Sequence, residues 1–508
     1  MPERRAAWDD ARLGAVALGV AAAVAVIAAF RLTGFARTSI FFVDECWHAL
    51  VARMMAEAHG LVTTTTAMMA GRFHLDYPPL FHLLGAAWSV WLGAPALLYF
   101  NLAVALALIA LILIGPGRLL DPMPRASLAL ALMATPLFAM YSVRFYVEML
   151  TAAVFFCSWW WFAKALRDAR QLSSVTLDGQ RRDAIISGIA TGLLVWTKQT
   201  GLLVLGLYAA YLAWTILRGD RTRRTTAAWV VGVASIFAAA YLGVTLARGE
   251  NPLLFARPTS HPEVWEAAMG AGVRVPHGVF FHTLWATWGV LPFVLMFLPI
   301  AVLVTNRRRD YPYVPLLVLL GILVAVFLID RRLVERHTLF LLPLIAFLGV
   351  DALTRLGGRR GTWAGFAMIL LAAVAHVVTM PNYRVNFNPS RDFVEMAWTI
   401  AQRTPSDATI ASVWWVELRY HTGRKVIWPV PHLEDPPVEL FREQSADTWY
   451  ERLRARGLDY LLVDDRYVSE GPSLNFSRHT LANLDALIQN GQVQLVARAG
   501  PLRLFQVR

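Results

Sequence analysis

A chain of 508 residues that is 57% hydrophobic and only 16% charged is too apolar for a soluble protein and too long for one compact domain, and so reads as a membrane protein with an added soluble part. The formal net charge of +12 does not point to nucleic acid, because the arginines fall in short clusters between apolar runs rather than along one solvated segment. The two cysteines, Cys46 and Cys157, support neither a disulfide framework nor a thiolate metal site.

A helix needs about 20 apolar residues to cross the hydrocarbon. The first run, Leu13 to Phe30, meets that length and is followed by many more, so it is expected to be a transmembrane helix rather than a cleavable leader. Further runs at 96–114, 126–140, 149–163, 184–198, 199–217, 226–247, 279–305, 311–329, 337–353 and 362–380 bring the expected total to about eleven. Residues 184–217 also read as one long bent helix. The run Pro78 to Gly93 is short and ends at Gly93-Ala94-Pro95, which fits a helix lying at the interface better than a span.

Basic residues in short loops resist translocation, so they set the orientation. With a cytoplasmic N-terminus, the inner loops hold Arg4, Arg5, Arg12, Arg118, Arg125, the Lys164 to Arg182 group, the Arg218 to Arg224 group, Arg307 to Arg309, Arg355, Arg359 and Arg360. The alternate loops (32–78, 141–148, 248–278 and 330–336) carry fewer. An odd number of spans then puts the segment after Met380 outside. That tail has ordinary polar composition. It alternates helix signals near 391–403, 414–421, 445–457 and 479–490 with strand signals near 408–413, 425–430, 459–463, 493–499 and 501–507, as a small α/β domain does. The fold expected is therefore a polytopic α-helical membrane domain over 1–380, with a first outer loop near 32–78 and interfacial helices to about residue 95, followed by an extracytoplasmic α/β domain over 381–508. No repeat, low-complexity stretch or Gly-rich phosphate loop is present, so a cytosolic nucleotide-binding engine is absent.

Ionisable groups at membrane depth are costly and usually functional. Four clusters fall on the expected outer side: Asp44, Glu45, Trp47 and His48, followed by Asp76-Tyr77-Pro78-Pro79; Arg144 with Glu148, four apart and so on one face if helical; Lys198 at an outer turn; and Asp330, Arg331, Arg332, Glu335, Arg336 and His337. Each has a plainer reading. An acidic pair at a helix end is often only solvated, Arg144 and Glu148 could form a structural ion pair, Lys198 could snorkel to the interface, and the arginine loop could anchor to headgroups. His48, His74 and His82 match no standard metal-ligand spacing.

Carboxylates beside cations at a membrane surface suit a reaction on a phosphate-bearing lipid: cations neutralise the leaving phosphate while a carboxylate orients or deprotonates an incoming hydroxyl. Without a nucleotide site, the activated donor has to arrive through the bilayer, and a polyprenyl-phosphate sugar meets that requirement. At these residues the sequence resembles the GT-C glycosyltransferases, in the branch holding protein O-mannosyltransferases, the lipid A aminoarabinose transferase and Rgt-type transferases. The resemblance rests on Asp44-Glu45 after the first span, Tyr77-Pro78-Pro79-Leu80, Arg144 to Glu148, Gly192 to Gly201 with Lys198, the arginine loop before Leu341-Leu342-Pro343, and Tyr420-His421-Thr422-Gly423-Arg424 in the tail.

The resemblance implies an inverting transfer of sugar from a polyprenyl-phosphate donor to a glycan, lipid or protein acceptor at the outer face of a bacterial inner membrane. It makes Asp44 the first-loop acid, with Glu45 beside it, and Glu148 a second acid, commonly aspartate in the family. Lys198 and an arginine among Arg331, Arg332 and Arg336 match donor-phosphate positions, while Arg144, Tyr77 and His48 fall on substrate-binding positions. In some members a divalent cation is held at the acids, which would be Asp44 and Glu148 here. Tyr77 stands where the aminoarabinose branch has lysine, which argues against that substrate. The rival reading is a transporter or flippase of lipid-linked substrates, but transporters place coupling residues near the midplane within repeats. A partner-binding scaffold would leave Asp44, Lys198 and the arginine loop unexplained.

Overall fold

The computed structural model describes residues 2–42, 44–58, 78–115, 119–168, 177–247, 277–305, 313–329, 335–384, 388–427, 445–466 and 479–508. The chain forms two compact units, one from Met1–Ser39, Tyr77–Glu250 and Val275–Asn386, the other from Ile40–Asp76, Asn251–Arg274 and Phe387–Arg508.

In chain order the first helices are α1 (Pro2–Arg37), α2 (Asp44–Glu57), which belongs to the second unit, and α3 (Leu80–Leu92). A 3-10 turn (Ala94–Tyr99) leads into α4 (Phe100–Ile114). Then come α5 (Pro122–Met133), α6 (Pro136–Ser142), α7 (Val147–Asp168), α8 (Leu177–Thr197), α9 (Thr200–Leu217) and α10 (Arg221–Ala247). The first unit closes with α11 (His277–Trp288), α12 (Val290–Thr305), α13 (Val314–Ile329), a 3-10 helix (Glu335–Leu341) and α14 (Leu342–Thr379).

This is a multi-pass membrane protein. Among the described residues six helices are long and apolar enough to cross a bilayer, or up to eight if the bent pairs α5–α6 (72°) and α11–α12 (98°) each count as one span. Among the described residues each expected span falls largely on helix, and the smaller total has local causes. The stretch Arg336–Thr379 is counted once at 44 residues, about 66 Å of helix against a hydrocarbon core of about 30 Å. It contains two expected spans and breaks at Gly358, where φ is 53°. The α8 helix opens on four charged side chains, Asp178, Arg181, Arg182 and Asp183, and α13 has 16 residues. Lipid-facing surface is evident in Phe30 (83% exposed) and Leu217 (86%), which water would not tolerate in such number. The α3 helix, at 13 residues, is too short to span.

The middle of this unit is α7, whose aromatic run packs against α14 and its preceding turn. Trp159 meets Phe347 at 4.8 Å and Phe155 meets Phe340 at 5.1 Å between ring centroids. Trp159 and Trp160 are fully buried. Arg31, near the end of α1, donates to the carbonyls of Val377 and Met380, so the last turn of α14 ends beside that of α1.

The second unit carries a five-stranded mixed sheet of order β2-β1-β3-β5-β4, built from β1 (Thr409–Ser412), β2 (Lys425–Ile427), β3 (Tyr460–Asp464), β4 (Val493–Ala499) and β5 (Leu502–Val507). Strands β2, β1 and β3 are parallel, while β5 is antiparallel to both β3 and β4. The central strand β3 is buried throughout, as expected of a strand covered on both faces. Helices α15 (Arg391–Arg403), α16 (Trp415–Thr422), α17 (Ala446–Ala455) and α18 (Thr480–Gln489) alternate with the strands. The helix and strand signals of the tail thus land on nine elements among the described residues.

Candidate functional site

In the membrane unit, three elements distant in sequence bring polar side chains to one carboxylate. Glu148 sits in the first turn of α7, where the helix dipole favours an anion, and is 2% exposed. Lys198 Nζ donates to its Oε1 at 3.0 Å, Arg336 Nε lies 3.7 Å away and His337 Nε2 lies 3.8 Å away. Lys198 comes from the turn between α8 and α9, and the last two from the 3-10 helix.

Local sequence explains each placement. The turn at Lys198 depends on Gly201, because a Cβ there would lie 2.4 Å from the Val195 nitrogen and 2.5 Å from the Leu194 carbonyl carbon, so only glycine lets the two helix ends approach so closely. The 3-10 helix is tied down by Trp288, whose indole donates to Thr338 Oγ1 at 2.9 Å.

Arg144 and Glu148 do not share a helix face, contrary to the expectation from their spacing. The α6 helix stops at Ser142 and α7 starts at Val147. The break is held by Asn101 of α4, whose amide donates to the carbonyls of Arg144 (2.5 Å) and Tyr146 (2.7 Å). The Arg144 guanidinium donates instead to Tyr146 Oη at 2.8 Å. The Tyr146 ring has Arg144 at 4.5 Å and Arg336 at 5.1 Å from its centroid, each within cation–π range. A lysine, an arginine and a histidine thus gather around one buried carboxylate, and Arg144 shares the Tyr146 ring with that arginine. Such a set can bind an oxyanion: a phosphate presents several acceptor oxygens to donors already desolvated and held in position.

In the second unit, Asp44 opens α2; its side chain lies outside the described residues. Glu45 and His48 are buried, at 0% and 1% exposure, and the rings of Trp47 and His48 meet at 4.9 Å. The Tyr420 to Arg424 stretch packs on this segment. His421 Nε2 donates to the Phe41 carbonyl at 2.9 Å and lies 3.8 Å from Cys46 Sγ, while the Tyr420 ring meets Phe41. Burial holds the His421 imidazole below its usual range. Arg424 donates to Ala401 O (2.6 Å), Thr404 O (2.9 Å) and Thr422 O (3.2 Å), closing the carbonyl end of α15. In this protein the stretch is therefore a structural clasp between the first-loop helix and the tail domain.

Tyr77, Arg331 and Arg332 lie outside the described residues. Among those described, no three His, Cys, Asp or Glu side chains could share a metal ion. Glu148 already holds an ammonium and a guanidinium, so it does not fit a divalent-metal ligand. The sequence pattern missed Tyr146 and Asn101 as members of this cluster, and grouped His337 with the arginine loop without giving it a role at the site. Asn101 had a signal, an amide inside an apolar run.

No protein-family model matches the sequence, and no curated protein does. Solved structures do match. ArnT from Cupriavidus metallidurans bound to undecaprenyl phosphate superposes with a TM-score of 0.66 at 15% identity, over 96% of this chain and 97% of that one. Its apo state gives 0.63 at 16% identity over the same shares. An Archaeoglobus fulgidus oligosaccharyltransferase tethered to an acceptor peptide gives 0.60 at 14% identity, over 88% of this chain and 69% of that one. The chain has the GT-C fold. At this identity the likeness is one of architecture, and the GT-C fold leaves the substrate to the site itself.

Proposed function

We propose that the chain is a membrane glycosyltransferase that moves a sugar from a polyprenyl-phosphate donor to a hydroxyl or phosphate of a glycolipid, polysaccharide or protein at the outer face of a bacterial inner membrane. The observation that carries this is the convergence of Lys198, Arg336 and His337 on buried Glu148. The GT-C fold and the undecaprenyl phosphate bound by the Cupriavidus metallidurans ArnT add to it.

Breaking the bond between the anomeric carbon and the phosphate oxygen adds negative charge to the leaving polyprenyl phosphate. Preorganised cations stabilise that charge more in the transition state than in the ground state. Lys198 and Arg336 supply them, with Arg144 stacked on the same Tyr146 ring, and Glu148 offsets one of those positive charges before the donor arrives. Asp44, the first-loop acid, takes the acceptor hydroxyl proton as the acceptor oxygen bonds to the anomeric carbon from the opposite side, which inverts its configuration. Arg331 and Arg332 belong to the same arginine-rich segment and add to its charge, and Tyr77 and His48 contact substrate. The N-terminus is cytoplasmic and the tail domain extracytoplasmic.

The test is to supply the purified chain with a panel of polyprenyl-phosphate sugars and an acceptor extract, and to measure release of polyprenyl phosphate. Wild-type release that Asp44→Asn and Lys198→Ala both abolish, with folding intact, is the expected outcome. Release unaffected by Asp44→Asn overturns the acid assignment. Movement of an intact lipid-linked sugar across vesicles without release favours a flippase.

A further inference from the structure

The first unit has a second concave surface, remote in sequence from Glu148. Helices α9 and α10 line an open groove of about 640 Å³, within the range of about 300–1,000 Å³ typical of small-molecule sites. Its walls are apolar along most of their length, with Leu212 and Ile216 on α9 and Trp229, Val233 and Ile236 on α10. One end is different: Arg224 lines it, and the connecting turn adds exposed Arg218 and Arg221. Arg181 of α8 lies 4.3 Å from the centroid of the Trp229 ring. The single acid of the turn, Asp220, is paired with Arg223 at 3.2 Å.

We propose that this groove is a binding site for one anionic phospholipid of the surrounding membrane. An acyl chain lies between α9 and α10, and its phosphate rests on Arg218, Arg221 and Arg224. Two properties select that ligand. Leu212, Ile216, Val233 and Ile236 offer no donor or acceptor to a polar solute and the Trp229 indole adds a single N–H, so the occupant of the long part is hydrocarbon. Clustered arginines at the end of membrane helices favour an anionic headgroup over a zwitterionic one. Glycine at 232 keeps the groove open: it lines the wall, and a Cβ there would meet nothing within 4 Å. A side chain at that position therefore starts into the groove with no protein atom near its Cβ.

Native mass spectrometry of the full chain, exchanged into detergent with equimolar phosphatidylglycerol and phosphatidylcholine of identical acyl chains, tests this. Wild type is expected to retain one phosphatidylglycerol in preference to phosphatidylcholine. Arg221→Ala with Arg224→Ala lowers phosphatidylglycerol affinity by about thirtyfold, from about a factor of five per surface arginine, and leaves phosphatidylcholine unchanged. Gly232→Trp occupies the groove and removes the retained lipid while the chain stays folded by circular dichroism. Equal retention of the two lipids by wild type overturns the proposal, as does phosphatidylglycerol retention that survives Gly232→Trp. A dimer mass with no retained lipid assigns the face to a second copy of the chain and also overturns it.

Discussion

Replacing Glu148 by glutamine keeps the side-chain shape and removes one charge at the point where Lys198, Arg336 and His337 meet. The attraction between unit charges at the 3.0 Å of the Lys198 pair is about 5 kcal/mol at an effective dielectric of about 20. Desolvation of both ions, several kcal/mol each, opposes it. The pair is therefore worth little net, but breaking it strands a buried ammonium, which costs about 3–5 kcal/mol. Glu148→Gln and Lys198→Met are each expected to lose that much stability. The double variant, with neither member of the pair charged, recovers about 0.5–3 kcal/mol of the summed loss, the range of coupling between contacting groups. Denaturant midpoints of the purified chain in one detergent measure all four corners of the cycle. Additive losses would show that the two groups do not share a desolvated site and would refute the electrostatic reasoning.

Three further outcomes follow from named contacts. Gly201→Ala gains about 1 kcal/mol of intrinsic helix propensity but drives a methyl onto the Val195 backbone at 2.4 Å, so net destabilisation of about 1–3 kcal/mol or more is expected; a rise in thermal midpoint would contradict it. Burial lowers the affinity of His421 for a proton in the folded chain. The unfolded chain protonates as pH falls through about 6.5, so this contribution to stability is complete above that pH and is lost on further acidification. His421→Gln should flatten the pH dependence of tail-domain stability between pH 7 and 5, and an unchanged slope would remove His421 as its source. Arg424→Ala uncaps the end of α15 and should cost the tail domain about 2 kcal/mol, with Arg424→Lys recovering little because one ammonium cannot span three carbonyls; full recovery in urea denaturation would speak against the clasp.

Apolar periodicity and length located the helices because the bilayer demands long uninterrupted hydrocarbon, and alternation located the five strands found among the described residues of the tail. The breaks were less legible. A bend between Met133 and Pro136, or at Gly289, interrupts a run whose composition stays apolar, so hydropathy alone counts it as one straight segment. The site shows the same division. Glu148, Lys198 and Arg336 stood out because charge at membrane depth is expensive. Their convergence on one oxygen is a property of packing, not of spacing. Arg144 was misplaced because the i, i+4 rule presumes a helix, and the helix is interrupted where Asn101 takes the Arg144 and Tyr146 carbonyls.

The claim that Lys198 and Arg336 form a lipid-phosphate site is open to an equilibrium measurement that needs neither sugar nor acceptor. Binding of polyprenyl phosphate and of the matching polyprenol, which shares its chain and lacks the phosphate, is compared for wild type, Lys198→Ala and Arg336→Ala. The reading requires tight binding of the phosphate only, weakened about tenfold or more in each variant, since charge-assisted bonds contribute about 1.5–3 kcal/mol. Equal affinity for the alcohol, or phosphate binding indifferent to both substitutions, would contradict it.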